Sequence, residues 1–165
     1  MKKQSKKEIN LFSLILKEES TGLNIEKNND ISGILKGIEF IKSNKDEPEL
    51  LLYIKFTGLV NITKILVDSK TKDEMNKPEI LKIFSNSSNL DFSDAVSNKA
   101  TEEIKLENKY GIKILLNAPK FRKISELVLY FTREDAEFIQ LDSLQFYGSI
   151  GDELINFGEL KKHEH

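Results

Sequence analysis

Apolar and polar residues alternate most cleanly in Glu49–Thr57, where Leu50, Leu52, Ile54 and Phe56 share one face and Leu51, Tyr53, Lys55 and Thr57 the other. That period of two is a strand with one strongly apolar face, entered through Pro48 and left at Gly58. Val60–Val67, rich in β-branched residues, reads as the next strand, with Thr57-Gly58-Leu59 as the turn between them. Further strands are expected at Pro78–Ser85, Glu102–Leu106, Ile112–Leu116, Ile124–Phe131 and Phe138–Tyr147, the last closed by Gly148 and Gly151. Lys70–Lys77 reads as a charged loop, and Asn86-Ser87-Ser88-Asn89 as a dense turn signal.

Helical periodicity is scarce. Leu11, Phe12, Ile15 and Leu16 form a stripe within residues 9–18 that suggests one or two helical turns, ended by Thr21-Gly22. Leu90–Val96 predicts a single turn of helix with Asp91 as its cap. Short strands spaced roughly 10–15 residues apart, with almost no helix between them, predict an all-β antiparallel domain, either a sandwich or a barrel. The expected organisation is an arm over residues 1–18, a β-domain over 19–151 and a tail over 152–165.

Composition narrows the function. The 165 residues are enough for one self-supporting core. With 25 basic and 27 acidic side chains the net charge is −2, which argues against a dedicated nucleic-acid surface. No cysteine is present, so a disulfide framework and thiolate chemistry are excluded, as fits a reducing compartment. The longest apolar run, Leu50-Leu51-Leu52-Tyr53-Ile54, is far short of the ~20 residues of a membrane span, so no membrane partner is expected. Lys2, Lys3, Lys6 and Lys7 make the first residues basic, and a solvated arm is expected, the alternative being a nuclear address or a phosphate-touching arm.

The residues that carry most enzyme chemistry are missing from the body. Both histidines, His163 and His165, fall in the last three residues, which leaves no imidazole for a nucleophile pair or a His-based metal cage in the expected β-domain. Gly33-Ile34-Leu35-Lys36-Gly37 has close glycines but lacks the strand-before, helix-after context of dinucleotide binding. The pairs Glu102-Glu103 and Glu134-Asp135 sit beside expected turns, where solvated faces are the usual outcome, and Asp68–Glu74 lacks EF-hand spacing. A non-enzyme without a cofactor is expected.

Several segments, taken in order, resemble one family. Lys77-Pro78-Glu79-Ile80-Leu81-Lys82-Ile83-Phe84-Ser85-Asn86, followed by Leu90-Asp91-Phe92-Ser93-Asp94-Ala95, is similar to the central signature of the PITH domain, a proteasome-interacting module. Leu23-Asn24 resembles the family's Leu-Asn motif, with Gly22 where a cysteine is common. Asp46-Glu47-Pro48-Glu49-Leu50-Leu51 matches its acidic lead into a strand. Gly111-Ile112, Lys120-Phe121 and Phe146-Tyr147-Gly148 resemble its later strands. The resemblance spans roughly residues 10–165 and implies a jelly-roll β-sandwich of the galactose-binding-like type. It also implies cytoplasmic and nuclear residence and binding to the regulatory particle of the 26S proteasome, at lid subunits. No thioredoxin-like segment with Cys-x-x-Cys precedes the module, so a stand-alone, monomeric member is expected. Pro119 cannot donate to a ladder, so its strand is expected at an edge or a bulge.

The tail Asn156–His165 resembles that of the thioredoxin-linked branch, which also ends in a lysine pair, an acid and a histidine. Phe157, Leu160, Lys161, Lys162, His163, Glu164 and His165 are therefore the candidate partner-binding residues. An imidazole and an α-carboxylate on a flexible lead can ligate zinc. The proteasome lid houses a zinc-dependent deubiquitinating subunit, which makes His165 a candidate zinc ligand in trans; a fortuitous terminal histidine is the alternative. The competing function is a β-sandwich module for a sugar or phosphate ligand. The absence of tryptophan weighs against it, since such sites stack aromatics on the ligand.

Overall fold

The computed structural model describes residues 8–27 and 30–151. Its central element is one strand of 20 residues, β4 (Glu49–Asp68), where two strands and a turn at Thr57–Leu59 are expected from the sequence. The first half of β4 pairs with β2 (Thr21–Leu23) on one side and β8 (Ile124–Thr132) on the other. Its second half pairs instead with β10 (Ser143–Ile150) and β7 (Lys113–Leu115). At the crossover, Lys55 faces Glu126 and Val60 faces Ile124, so five steps along β4 are matched by only two along β8. The surplus residues around Gly58 bend the strand out of one sheet and into the other, which is the work of a bulge rather than a hairpin turn.

A second irregularity follows within the same strand. Lys64 pairs with Tyr147 and Ile62 with Gly148, which leaves Thr63 as an extra residue. One inserted residue flips the pleat. Burial therefore runs through Val60 and Ile62, then resumes at Ile65 and Val67.

Two layers result. The first sheet runs β2, β4, β8, β5 (Ile80–Ser85), β6 (Glu102–Lys105). The second runs β1 (Ile9–Asn10), β10, β4, β7. A small pair, β3 (Ile41–Lys42) and β9 (Gln140–Leu141), stands apart. All these pairings are antiparallel. Between the layers lies the core, with Leu50, Leu52, Ile54, Val60, Ile62, Ile65, Leu129, Phe131, Leu144 and Phe146 buried. Phe56 meets Phe146 edge-to-face at 6.0 Å. Each such side chain stabilises the fold by ~1.5–3 kcal/mol on burial. The molecule is a jelly-roll β-sandwich, as expected.

Leu51, Phe84, Val128 and Tyr130 point to the opposite side of the first sheet and are also buried, against Leu90 and Ala95. The cover is α2 (Phe92–Ser97) with the loop before it. This explains why Leu127–Phe131 is apolar at every position: a sheet covered on both faces has no solvent side.

Four smaller expectations change. Thr21-Gly22 belongs to β2 instead of ending a helix, and residues 9–18 hold 3-10 turns at Leu11–Leu14 and Lys17–Glu19. Gly33 and Gly37 belong to an unexpected helix, α1 (Ser32–Lys36), which Gly37 ends at φ 73°, a left-handed conformation that glycine adopts without steric cost. Pro119 lies in a 3-10 helix, Ala118–Phe121, and not in a strand, so no ladder bond is lost to it. The last strand divides into β9 and β10, and β10 continues past Gly148 to Ile150.

Candidate functional site

Of the candidate binding residues, Phe157, Leu160, Lys161, Lys162, His163, Glu164 and His165 all lie outside the described residues, as do the four lysines of residues 1–7. What the structure does place are the segments that carry the family resemblance, and it shows what each one does.

The central signature forms β5 and α2. Asp91 Oδ1 accepts from the Asp94 N–H at 2.9 Å, and the Asp91 N–H donates to Asp94 Oδ2 at 3.1 Å, closing a reciprocal capping box. At the other end Lys82 Nζ donates to the carbonyls of Ala95 (2.6 Å), Val96 (3.3 Å) and Asn98 (3.1 Å). A cation on the orphaned carbonyls of a helix end satisfies them and complements the dipole. The Tyr53 hydroxyl donates to the Leu90 carbonyl at 2.6 Å, tying the approach to α2 down on the sheet.

The Leu-Asn motif and the acidic lead prove to be two halves of one latch. Asn24 Nδ2 donates to the carbonyls of Glu47 (2.8 Å) and Glu49 (2.7 Å), and Asn24 Oδ1 accepts from Asn44 Nδ2 at 2.9 Å. Asn24 holds φ 68°, which asparagine tolerates better than most residues. At Gly22 a Cβ would come within 2.6 Å of Ile25 Cδ1 and 2.7 Å of Leu52 Cδ2, so these two side chains occupy the room a larger residue would need. Phe121 is wholly buried. Asp91, Asp94, Asn24, Gly22 and Phe121 thus build latches and packing around the sandwich, and their chemistry is structural.

The acid pairs are likewise engaged or separated. Glu102 and Glu103 lie within β6, not beside a turn, and successive strand residues point to opposite faces. Glu102 Oε1 accepts from the Asn117 N–H at 2.9 Å. Asp135 pairs with Arg133 at 3.2 Å. In Asp68–Glu74, Asp68 accepts from the Ser69 N–H and Asp73 from the Met75 N–H, both at 2.9 Å. Among the described residues no group of three or more His, Cys, Asp or Glu is placed to hold a metal ion.

Burial raises the pKa of three tyrosines, Tyr53, Tyr110 and Tyr130, the last two most strongly. Burial pushes the Tyr130 hydroxyl up to about 12, and its 2.7 Å hydrogen bond to Glu49 Oε1 adds to the effect. Burial also raises Tyr110 to about 12, with Glu74 and Glu79 adding to it and Arg133 opposing. Its hydroxyl donates to the Pro78 carbonyl. None titrates near neutrality, so none is poised for proton transfer there.

The described surface does carry apolar groups whose exposure the sequence does not show. Ile38 and Phe40 stand beside a groove of about 440 Å³ with Glu26, Glu39 and Lys42. Val96 projects from α2, and Ile112 and Leu115 stand at and next to β7. Alternation alone would put Leu115 on the face opposite Ile114, but it cannot say that this face lacks a cover.

Solved structures share the architecture. The family 32 carbohydrate-binding module of NanJ from Clostridium perfringens, solved with galactose, is 12% identical, aligns over 86% of this chain and 99% of its own, and has a TM-score of 0.58. The C-terminal domain of a chitobiase from Bacteroides fragilis is 12% identical over 82% of this chain and 93% of its own, with a TM-score of 0.58. A third, CpGH89CBM32-5 from Clostridium perfringens in complex with GalNAc-β-1,3-galactose, is 12% identical over 84% and 99%, with a TM-score of 0.57. At this identity the likeness shows the fold, a galactose-binding-like β-sandwich. A comparison with curated proteins gives no match. The family model of the PITH domain matches residues 1–165. This match over the whole chain shows that the chain belongs to the PITH domain family, non-catalytic modules associated with proteasome interaction.

Proposed function

We propose that this chain is a non-catalytic adaptor that docks on the regulatory particle of the 26S proteasome at lid subunits, using one face of the sandwich together with its C-terminal tail. The observation that carries the proposal is the family match, which extends through residue 165 and so includes the tail. The body supports it, because Asp91, Asp94 and Lys82 are spent on holding α2 and Asn24 on its latch. The imidazoles then fall to the tail, at His163 and His165.

In this account Phe157 and Leu160 supply apolar anchors, Lys161, Lys162 and Glu164 supply charge, and His165 ligates the zinc of the lid's deubiquitinating subunit in trans. The chain works as a monomer in cytoplasm and nucleus. The sugar- or phosphate-binding alternative has the architecture in its support and no site residue in addition.

The test is binding of the full chain to purified 26S proteasomes, beside a chain lacking residues 161–165 and His165→Ala. Losing a metal ligand is expected to weaken binding by about tenfold or more. Unchanged affinity on removing residues 161–165 would take the tail out of the account. Failure of the full chain to bind would remove the adaptor role itself.

A further inference from the structure

Residues 109–123 hold Lys109, Lys113, Lys120, Arg122 and Lys123 and no acidic residue, in a chain whose net charge is −2. This segment contains β7, which pairs with β4 alone among the described strands, so its second edge is open. On β7, Leu115 is 71% exposed, and Ile112, immediately before the strand, is 53% exposed. The first sheet has α2 across its outer face, whereas the second sheet has these apolar groups in solvent.

The neighbouring residues extend the surface in register. Leu115 lies opposite Lys64, which lies opposite Tyr147 in the next strand. Lys113 Nζ sits over the Tyr147 ring at 4.0 Å. Glu8 provides an acid here, bound to Lys64 at 3.3 Å and to the Thr63 hydroxyl at 2.8 Å. Asp68, four residues further along β4, has its carboxylate against Gly111, where a Cβ would stand 3.5 Å from Oδ1, and Glu102 Oε1 accepts from the Asn117 N–H at 2.9 Å, so the cations are interleaved with three acids. Beyond the strand, the Lys123 N–H is fixed to Asn61 Oδ1 at 3.0 Å, which brings the far end of the basic segment back against β4.

We infer that the open edge of β7, with Ile112, Leu115 and the lysines Lys109, Lys113 and Lys120, is where an acidic, extended segment of the protein partner docks. An edge strand offers unpaired backbone groups to an added strand. The exposed apolar side chains would seat the partner's apolar residues, and Lys109, Lys113 and Lys120 would favour acidic side chains among them and speed the encounter. This inference rests on the adaptor reading above and assigns the sandwich face which that reading leaves open.

The test compares full-length variants for binding to purified 26S proteasomes at low and at physiological salt. Ile112→Ser with Leu115→Ser removes the anchors, Lys113→Glu with Lys120→Glu reverses charge, and Val96→Ser, at a 63% exposed position on α2, makes a like truncation on the other side. The first double variant is expected to bind about tenfold more weakly, as loss of hot-spot side chains does. The charge variant is expected to bind more weakly and with a flatter salt dependence. Val96→Ser should bind as the parent does. Matching thermal unfolding midpoints show that each variant is folded. If the parent binds and both double variants bind equally well, the inference falls and the adaptor reading stands. If the parent itself does not bind, both fall. A concentration-dependent dimer broken by the anchor variant would give the edge to a second copy and overturn the inference.

Discussion

Gly148 lies against the backbone of Asn61, where the bulge at Thr63 draws two strands together. A Cβ at Gly148 would stand 1.8 Å from the Asn61 carbonyl oxygen, and no side-chain motion can relieve a clash with backbone. Gly148→Ala is therefore expected to cost ~3 kcal/mol, measured by urea denaturation. Gly22→Ala meets side chains and no backbone, the ends of Ile25 and Leu52 and, at 3.3 Å, Ile31 Cγ2, so a cost nearer ~1 kcal/mol is expected. Equal effects at the two sites would contradict this account. The tyrosines set the alkaline limit. Tyr110 and Tyr130 hold their protons to about 12 when folded, against 10.0 as the ordinary value. The folded state binds the proton more tightly, so their stabilisation is complete below pH 10 and is lost as pH rises towards 12. Unfolding free energies across that window should fall, and Tyr130→Phe should make the fall shallower. It also gives up the bond to Glu49, at ~1 kcal/mol near neutral pH.

Helix α2 is only six residues long and cannot persist through its own backbone bonds. It is held by the Asp91 box at one end and by Lys82 at the other. Lys82→Met keeps the aliphatic packing and removes the donor, leaving three carbonyls to find water. A loss of ~1–2 kcal/mol is expected, with faster hydrogen exchange confined to Asp91–Asn98 and the outer face of β8. Exchange unchanged in that region would show that the lysine is dispensable. How much of this was legible in the sequence differs by element. Alternation through Leu50–Phe56 and the long apolar run in Ile124–Phe131 predict real strands, and Asp91 before an apolar turn predicts a real cap. The break at Gly58 misleads, because glycine between apolar runs marks a bulge as readily as a turn. Only pairing partners far along the chain tell the two apart. Thr21–Leu23 is too short to show a period, and α1 is masked by its glycines.

At the scale of the molecule, one long strand shared by two sheets ties both layers to a single element, and among the described residues α2 covers the outer face of the first sheet. Among the described residues, β7 and its surroundings carry the exposed groups proposed above for the partner. The candidate site was legible in part. The histidine tail stands out in the sequence by composition, whereas the exposure of Ile112 and Leu115 depends on what lies across the sheet, which no local pattern records. The central claim is that this chain binds the proteasome through its folded body and its tail together. Its most direct measurement is the affinity of the full chain for purified 26S proteasomes, taken beside the chain ending at residue 160. The account predicts saturable binding by the full chain and a dissociation constant at least tenfold larger for the shortened one, a difference of about 1.4 kcal/mol. No binding by the full chain at micromolar concentration, or equal binding by both, would contradict it.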